Sequence, residues 1–226
     1  SQRPTVIFCA GQFGSMDGDT PLVPHFARAG FDVIQFDWRG HGISDGRRGT
    51  LGVREVEDLL GAIDFLQARG VRKIGLMGFS MGGAVALRAA ARDQRVVCVA
   101  ADGPFVHVAH ALEGGFRERL GRPLRPFVWL VMRLAELRLG GLRLADASPL
   151  PVVGAISPRP VLFIHGAEDP YVPPADQVAL YAACGEPKGL WQAEGVGHRQ
   201  AHERYPEAWR ERVIGFFMQW LLAAGR

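Results

Sequence analysis

Six short apolar runs, each four to six residues long, recur along the chain with helical patterns between them. They are Val6–Ala10, Val33–Phe36, Ile74–Phe79, Val96–Ala101, Val161–His165 and Gly189–Gln192. All but the last are nearly continuous in apolar residues, as strands are when both faces of a parallel sheet are covered. Between the second and third runs, Val53, Val56, Leu60 and Ile63 keep helical spacing. Thr50 stands ahead of them as a candidate N-cap and Gly70 beyond them as a stop. The Ala- and Gly-rich stretch from Ser80 to Arg92, the stretch from Asp176 to Ala183 and a last one opening near Pro206 also read as helices. In that last one Trp209, Val213, Phe216 and Trp220 form a core-facing stripe. Strand–helix–strand alternation predicts an α/β fold with a doubly wound, mainly parallel sheet of about six strands and right-handed crossovers.

The alternation breaks once. From about 105 to 147 the pattern is helical, interrupted by Pro123 and Pro126, and it lies between two strand runs. This reads as a helical cap inserted over the carboxyl ends of the strands, where such sheets bind ligands. The 226 residues otherwise make one domain. Hydrophobic residues at 48% and charged residues at 22% exclude a disordered chain. No apolar run approaches a membrane span of roughly 20 residues. Basic and acidic residues, 26 against 23, are interspersed, and the arginines from Arg117 to Arg143 alternate with leucines. No nucleic-acid partner is expected. Cys9, Cys98 and Cys184 form no C-x-x-C pair, and the first and second read as buried hydrophobes in a reducing compartment. Without a visible signal peptide, a cytoplasmic location is expected; a membrane tether upstream of residue 1 would be invisible.

The strand run Ile74–Met77 leads into Gly78-Phe79-Ser80-Met81-Gly82-Gly83 and then a helix. This is G-x-S-x-G in the setting that gives it meaning, a sharp strand-to-helix turn. The neighbours two residues either side of the serine must be tiny to let strand and helix approach. Ser80 is then presented above the sheet at the positive end of a helix, as a nucleophile should be.

A serine hydroxyl needs a base, and the base needs an orienting carboxylate. Asp169 follows a strand run in His165-Gly166-Ala167-Glu168-Asp169-Pro170, on the same sheet edge as Ser80. Glu168 should point away, and Asp176 reads as a surface or helix-N-terminal charge. Among seven histidines, His198 follows the flexible Glu194-Gly195-Val196-Gly197 loop and can reach over Ser80; His202 is the reserve. His198 and His202 lack the Glu of H-E-x-x-H, so no metal is expected. His165 reads as a structural hydrogen-bonder, His25 as surface and His41 as loop structure. His107 and His110 lie where they could touch substrate. No G-x-G-x-x-G follows the first strand, and no cofactor is expected.

With these residues in place the chain resembles the α/β-hydrolase superfamily, in particular bacterial serine hydrolases related to monoacylglycerol lipases and lysophospholipases. Four blocks carry the resemblance in family order: Gly78–Gly83, Asp37-Trp38-Arg39-Gly40-His41-Gly42-Ile43-Ser44, His165–Asp169 and Gly195–His198. It implies a triad of Ser80, Asp169 and His198, and an oxyanion hole from the backbone N–H groups of Met81 and Gln12. Asp37, Arg39 and Ser44 would be structural. Relatives usually carry His-Gly after the first strand, where this chain has Ala10-Gly11. The first strand run matches the family's third, so either the sheet is trimmed to six strands or residues precede Ser1. An Asp nucleophile, which a haloalkane dehalogenase needs, is absent.

The expected activity is cleavage of carboxylic esters with small to medium hydrophobic acyl groups. Alternatives are the same triad on peptide, amide, thioester or peracid substrates, or a non-catalytic receptor or scaffold of this fold. Phe13, Phe105, His107, Phe127, Trp129 and Val172 are the candidate pocket residues. The apolar cap stretch Pro126–Met132 should face substrate. The arginines on its other side read most simply as a solvated face; the other reading is a peripheral contact with an anionic membrane surface. The oligomeric state is left open.

Overall fold

A computed structural model describes residues 3–12, 14–46, 48–121 and 125–222. In chain order the elements are β1 (Thr5–Cys9), α1 (Val23–Arg28), β2 (Asp32–Gln35), α2 (Glu55–Ala68), β3 (Ile74–Phe79), α3 (Met81–Arg92) and β4 (Val96–Asp102). There follow α4 (Val108–Leu120), α5 (Arg125–Arg138), β5 (Val161–Gly166), α6 (Pro174–Ala183), β6 (Lys188–Ala193), α7 (Ala201–Arg204) and α8 (Pro206–Phe217). The six strands pair in the order β2-β1-β3-β4-β5-β6, all parallel, as the apolar runs predict. The chain leaves β1 toward one edge and returns at β3 toward the other. The loops after β1 and β3 therefore diverge and open a crevice at their carboxyl ends.

Side chains alternate between two cores. Ile7, Cys9, Leu76 and Val99 pack under α2 and α3. Val6, Phe8, Met77 and Cys98 pack under α1 and α8 with Phe26, Trp209 and Phe217. Gly75 is needed on this second side, because a Cβ there would stand 2.8 Å from the Phe217 ring.

Two element boundaries differ from expectation. Thr50 does not cap α2, which begins at Glu55. Its hydroxyl accepts the Arg54 N–H at 2.8 Å and donates to Glu55 Oε2 at 2.5 Å, so it braces a turn that precedes the helix. Glu55 also accepts from Gly52 N–H at 2.9 Å, which explains a glutamate with no exposed surface. In the last helix the fully buried residues are Trp209, Val213, Phe217 and Leu221, at strict four-residue spacing. Phe216 and Trp220 flank that row half-buried, and the helix widens into a π turn over Met218–Leu222.

Between β4 and β5 lie α4, α5 and two short 3₁₀ turns at Leu144–Ala147 and Val153–Ile156; Pro123 falls outside the described residues. α4 rests directly on the loop after β5. A Cβ on Gly114 would sit 2.1 Å from the Pro170 carbonyl oxygen. Replacing a helical glycine by alanine usually stabilises by about 1 kcal/mol. Gly61 in α2 has open space around its missing Cβ, so Gly61→Ala should follow that rule. Gly114→Ala should reverse the sign and destabilise by about 1–3 kcal/mol. Urea unfolding of the two variants checks the contrast.

Candidate active site

β3 ends at Phe79 and α3 begins at Met81, leaving Ser80 alone to make the turn. Its φ of 53° and ψ of −116° are a conformation a side chain rarely adopts. The neighbours explain how it is held. A Cβ on Gly82 would lie 1.9 Å from the Cys9 carbonyl oxygen, and one on Gly78 would lie 2.6 Å from Gly82 O. α3, β3 and β1 thus meet backbone to backbone, and Ser80 N–H is fixed on Asp102 O at 2.8 Å. The first-turn amides of α3, Met81's among them, point back toward the serine.

Three distant segments meet there. His198 Nε2 stands 2.9 Å from Ser80 Oγ, and His198 Nδ1 stands 2.6 Å from Asp169 Oδ2. The other Asp169 oxygen, Oδ1, accepts the Tyr171 and Val172 backbone N–H groups at 2.8 and 3.0 Å. The Asp169 side chain is fully buried, and the His198 ring keeps 18% of its surface exposed. In the tautomer whose Nδ1–H donates to Asp169, Nε2 accepts from the serine hydroxyl. Close approaches again need glycine. A Cβ on Gly103 would press on the His198 ring at 3.1 Å, and one on Gly166 would sit 2.3 Å from Gly197 O.

Comparison with known proteins bears on this arrangement. The alpha/beta hydrolase fold family matches residues 4–147, over half of the sequence. The chain belongs to the α/β hydrolase fold family. It is 30% identical over 221 residues to the uncharacterized protein YqkD of Bacillus subtilis (strain 168), covering 94% of this chain and 70% of that one. The Pyrococcus furiosus esterase Pf2001 superposes with a TM-score of 0.79 at 26% identity, over 96% of this chain and 83% of the esterase. A monoacylglycerol lipase of Paleococcus ferrophilus shares the fold at 20% identity, TM-score 0.72, over 95% and 94% of the two chains. Fold and neighbours together support a hydrolase.

The remaining candidates of this α/β hydrolase are placed differently from one another. Phe105 and Val172 are buried beside the site, and a Cβ on Gly52 would touch both the Phe105 ring and Met81. His107 lines a cavity of about 330 Å³ beneath α4 and α5, with Val106, His110, Met132 and Leu144. Gln12 sits in the turn after β1, half-buried, its side-chain oxygen unpartnered among the described residues. Phe13 lies outside the described residues.

Phe127 and Trp129 face outward on α5. They are 58% and 68% exposed, because α5 turns Val128, Met132 and Ala135 inward instead. Arg133 and Arg138 share the exposed side with them rather than lying opposite. Asp176 is not a surface charge; it is buried at the start of α6 and meets His110 Nδ1 at 2.7 Å. His165 makes no hydrogen bond among the described residues, and burial holds its ring toward the neutral form. His202 packs its ring near Trp209, away from the serine hydroxyl.

Asp37, Arg39 and Ser44 hold loops, as the resemblance implies. Asp37 accepts from Met16 and Ile43 N–H at 2.7 and 3.1 Å, Arg39 pairs with Asp58 at 2.6 Å, and Ser44 Oγ donates to Asp37 O. Among the described residues no helix is long and apolar enough to cross a membrane.

Three residues at the site carried no expectation from the sequence. Tyr171 sets its ring 5.1 Å from the His198 ring, and its hydroxyl donates to Glu118 on α4. Arg199 follows the imidazole in the left-handed region, with φ of 60°. Asp102 closes β4 with a fully buried carboxyl. Burial pushes it up to about 6, against the pull of Arg199, His198 and His202. The Trp209 indole lies near enough to favour its charge but makes no hydrogen bond of ordinary geometry. A carboxylic acid ending an apolar strand was the one visible signal for Asp102. Its ordinary value is 3.8, so the folded chain holds this proton to higher pH than the unfolded chain. Its contribution is therefore complete below about pH 4 and lost as pH rises through 6. Asp102→Asn should match the parent at pH 4 and exceed it at pH 8, by on the order of 2–3 kcal/mol in urea unfolding.

Proposed function

We propose that this protein is a serine hydrolase that cleaves carboxylic esters with small to medium hydrophobic acyl groups. The continuous path from Asp169 through His198 to Ser80 Oγ, with links of 2.6 and 2.9 Å, is the observation that carries the reading. Ser80 Oγ attacks the acyl carbonyl carbon while His198 Nε2 takes its proton. Asp169 steadies the imidazolium without itself becoming protonated. The Met81 and Gln12 backbone N–H groups receive the tetrahedral oxyanion. His198 then returns the proton to the leaving alcohol, and the acyl group stays on Ser80. Water, deprotonated by the same imidazole, releases the acid and restores the hydroxyl. Every group in this cycle belongs to the chain.

Apolar residues near the site, with Met81 following the serine, Phe105 close to Met81 and Val172 behind Asp169, favour a hydrophobic acyl group. Hydrolysis of p-nitrophenyl esters from acetate to palmitate should show a preference for short or medium chains. Ser80→Ala should abolish it along with covalent labelling by a fluorophosphonate, at unchanged melting temperature. Turnover of a matched amide, thioester or peracid faster than the best ester would shift the substrate class. An unlabelled parent would favour the non-catalytic reading of this fold.

The reading extends to where substrate is met. Segment 105–147 holds seven arginines against four carboxylates, so it carries a net charge equal to the whole chain's +3. On α5, exposed Phe127, Trp129, Leu130, Leu134 and Leu137 run beside exposed Arg133 and Arg138. Such a face suits shallow contact with an anionic bilayer. Cosedimentation should be strong with phosphatidylglycerol vesicles and weak with phosphatidylcholine. Trp129→Ser combined with Leu134→Ser should reduce it at least fivefold, and equal binding to both vesicles would contradict it.

A further inference from the structure

The loop that offers the second oxyanion amide is tied to the rest of the molecule on two sides. On the β2 side, Asp37 accepts the Met16 N–H at 2.7 Å, Gln35 Nε2 donates to Met16 O at 2.5 Å and the Trp38 indole donates to Ala10 O at 2.9 Å. On the side of the base, the tie comes from Arg199, the residue next to the imidazole. The left-handed backbone at Arg199 lets His198 face Ser80 while the adjacent guanidinium turns under the loop after β1. A non-glycine residue stays in that region only when its surroundings hold it there.

Those surroundings are specific. Arg199 donates to Asp19 Oδ1, at the far end of the same loop. Its guanidinium carbon lies 4.5 Å from the centre of the Phe79 ring, one residue before the nucleophile. A Cβ on Gly11 would stand 3.3 Å from an Arg199 amino nitrogen and 3.4 Å from Ser80 Cβ. The planar cation and the nucleophile thus flank one glycine, whose successor is Gln12. Asp19 and Arg199 are both largely buried, with side-chain exposures of 9% and 25%. A second carboxylate, Asp102, lies buried on the same side of the sheet. A buried guanidinium held by a carboxylate and an aromatic face is a rigid wedge, because its plane and its donors are fixed together.

We propose that Arg199 is a positioning residue for the oxyanion hole, clasping the 10–19 loop to the base loop so that the Gln12 amide and the His198 imidazole keep register with Ser80. The inference rests on the serine-hydrolase reading above and adds a residue that neither touches substrate nor moves a proton. Oxyanion amides act only on the charge that develops in the transition state. Loosening the clasp should therefore lower kcat and leave KM nearly unchanged.

The experiment compares the parent with Arg199→Met, Arg199→Lys and Asp19→Asn, each first shown to fold by circular dichroism and thermal melting. With p-nitrophenyl butyrate, Arg199→Met should lose roughly ten- to hundredfold in kcat, with KM within threefold. The rate of fluorophosphonate labelling should fall in parallel. Arg199→Lys keeps the charge but not the planar fork, so it should recover part of the loss. Asp19→Asn should lose less, in the same direction. Backbone amide exchange over residues 10–20 should quicken in Arg199→Met while that over α3 does not. A folded Arg199→Met with kcat within threefold of the parent and unchanged exchange over 10–20 would overturn the proposal. Should Arg199→Met not fold, Asp19→Asn decides by the same criteria. A parent that neither hydrolyses the ester nor reacts with the fluorophosphonate would sink the hydrolase reading instead. The exchange comparison alone would then decide the clasp.

Discussion

The Cys9 carbonyl oxygen lies where a side chain on Gly82 would begin, 1.9 Å from an ideal Cβ. Only a glycine lets the first turn of α3 come this close to β1. That approach forces Ser80 through a left-handed turn and lifts its hydroxyl clear of the sheet. Because β1 and β3 are neighbours whose loops run to opposite edges, the raised hydroxyl stands at the mouth of the crevice between those loops. The rest of the site is arranged around this one contact. The loop after β1 borders the serine from one side, the His198 loop from another, and α4 covers the acid loop from above.

The electrostatics follow from burial. Asp169 can be wholly enclosed because two backbone amides and the imidazole satisfy its oxygens. Asp102, one strand away, has no such set of donors, and burial drives it toward the neutral acid. Two carboxyl groups at the ends of adjacent strands thus differ in what can be asked of them. One holds the His198 imidazole; the other is tolerated near the guanidinium of Arg199. His165 shows the same rule for a cation: enclosed and with no hydrogen bond among the described residues, it is pushed toward the neutral form by burial.

Much of this was legible in the residues. Each apolar run became a strand within about one residue at either end, because continuous apolar stretches of that length have few other ways to hide both faces. G-x-S-x-G was legible because its glycines answer a local steric demand. The loops that carry Asp169 and His198 were legible by their place after strands and by the glycines in them. Phe127 and Trp129 were misread, since helical periodicity tells which residues share a face but not which face turns inward. Val128 and Met132 won the inner side of α5 through contacts with residues far away in the chain. Asp176 does stand in the first turn of α6, one of its two readings, but its burial was not legible for a like reason: it meets His110, 66 residues away. Tyr171 and Arg199 gave no signal, because each acts through partners brought close only by the loops' final paths.

The sequence by itself determined the elements that answer to local rules, namely strand composition, helix spacing and the small residues at sharp turns. These depend on backbone sterics and on the hydrophobic period, which a chain carries wherever it goes. Tertiary structure alone decided which carboxyl groups are satisfied, which face of α5 meets water and which guanidinium lies behind Gly11. Those outcomes are set by distances between segments that are remote in the chain. A charge buried among partners and the same charge buried without them are identical letters until the fold is complete.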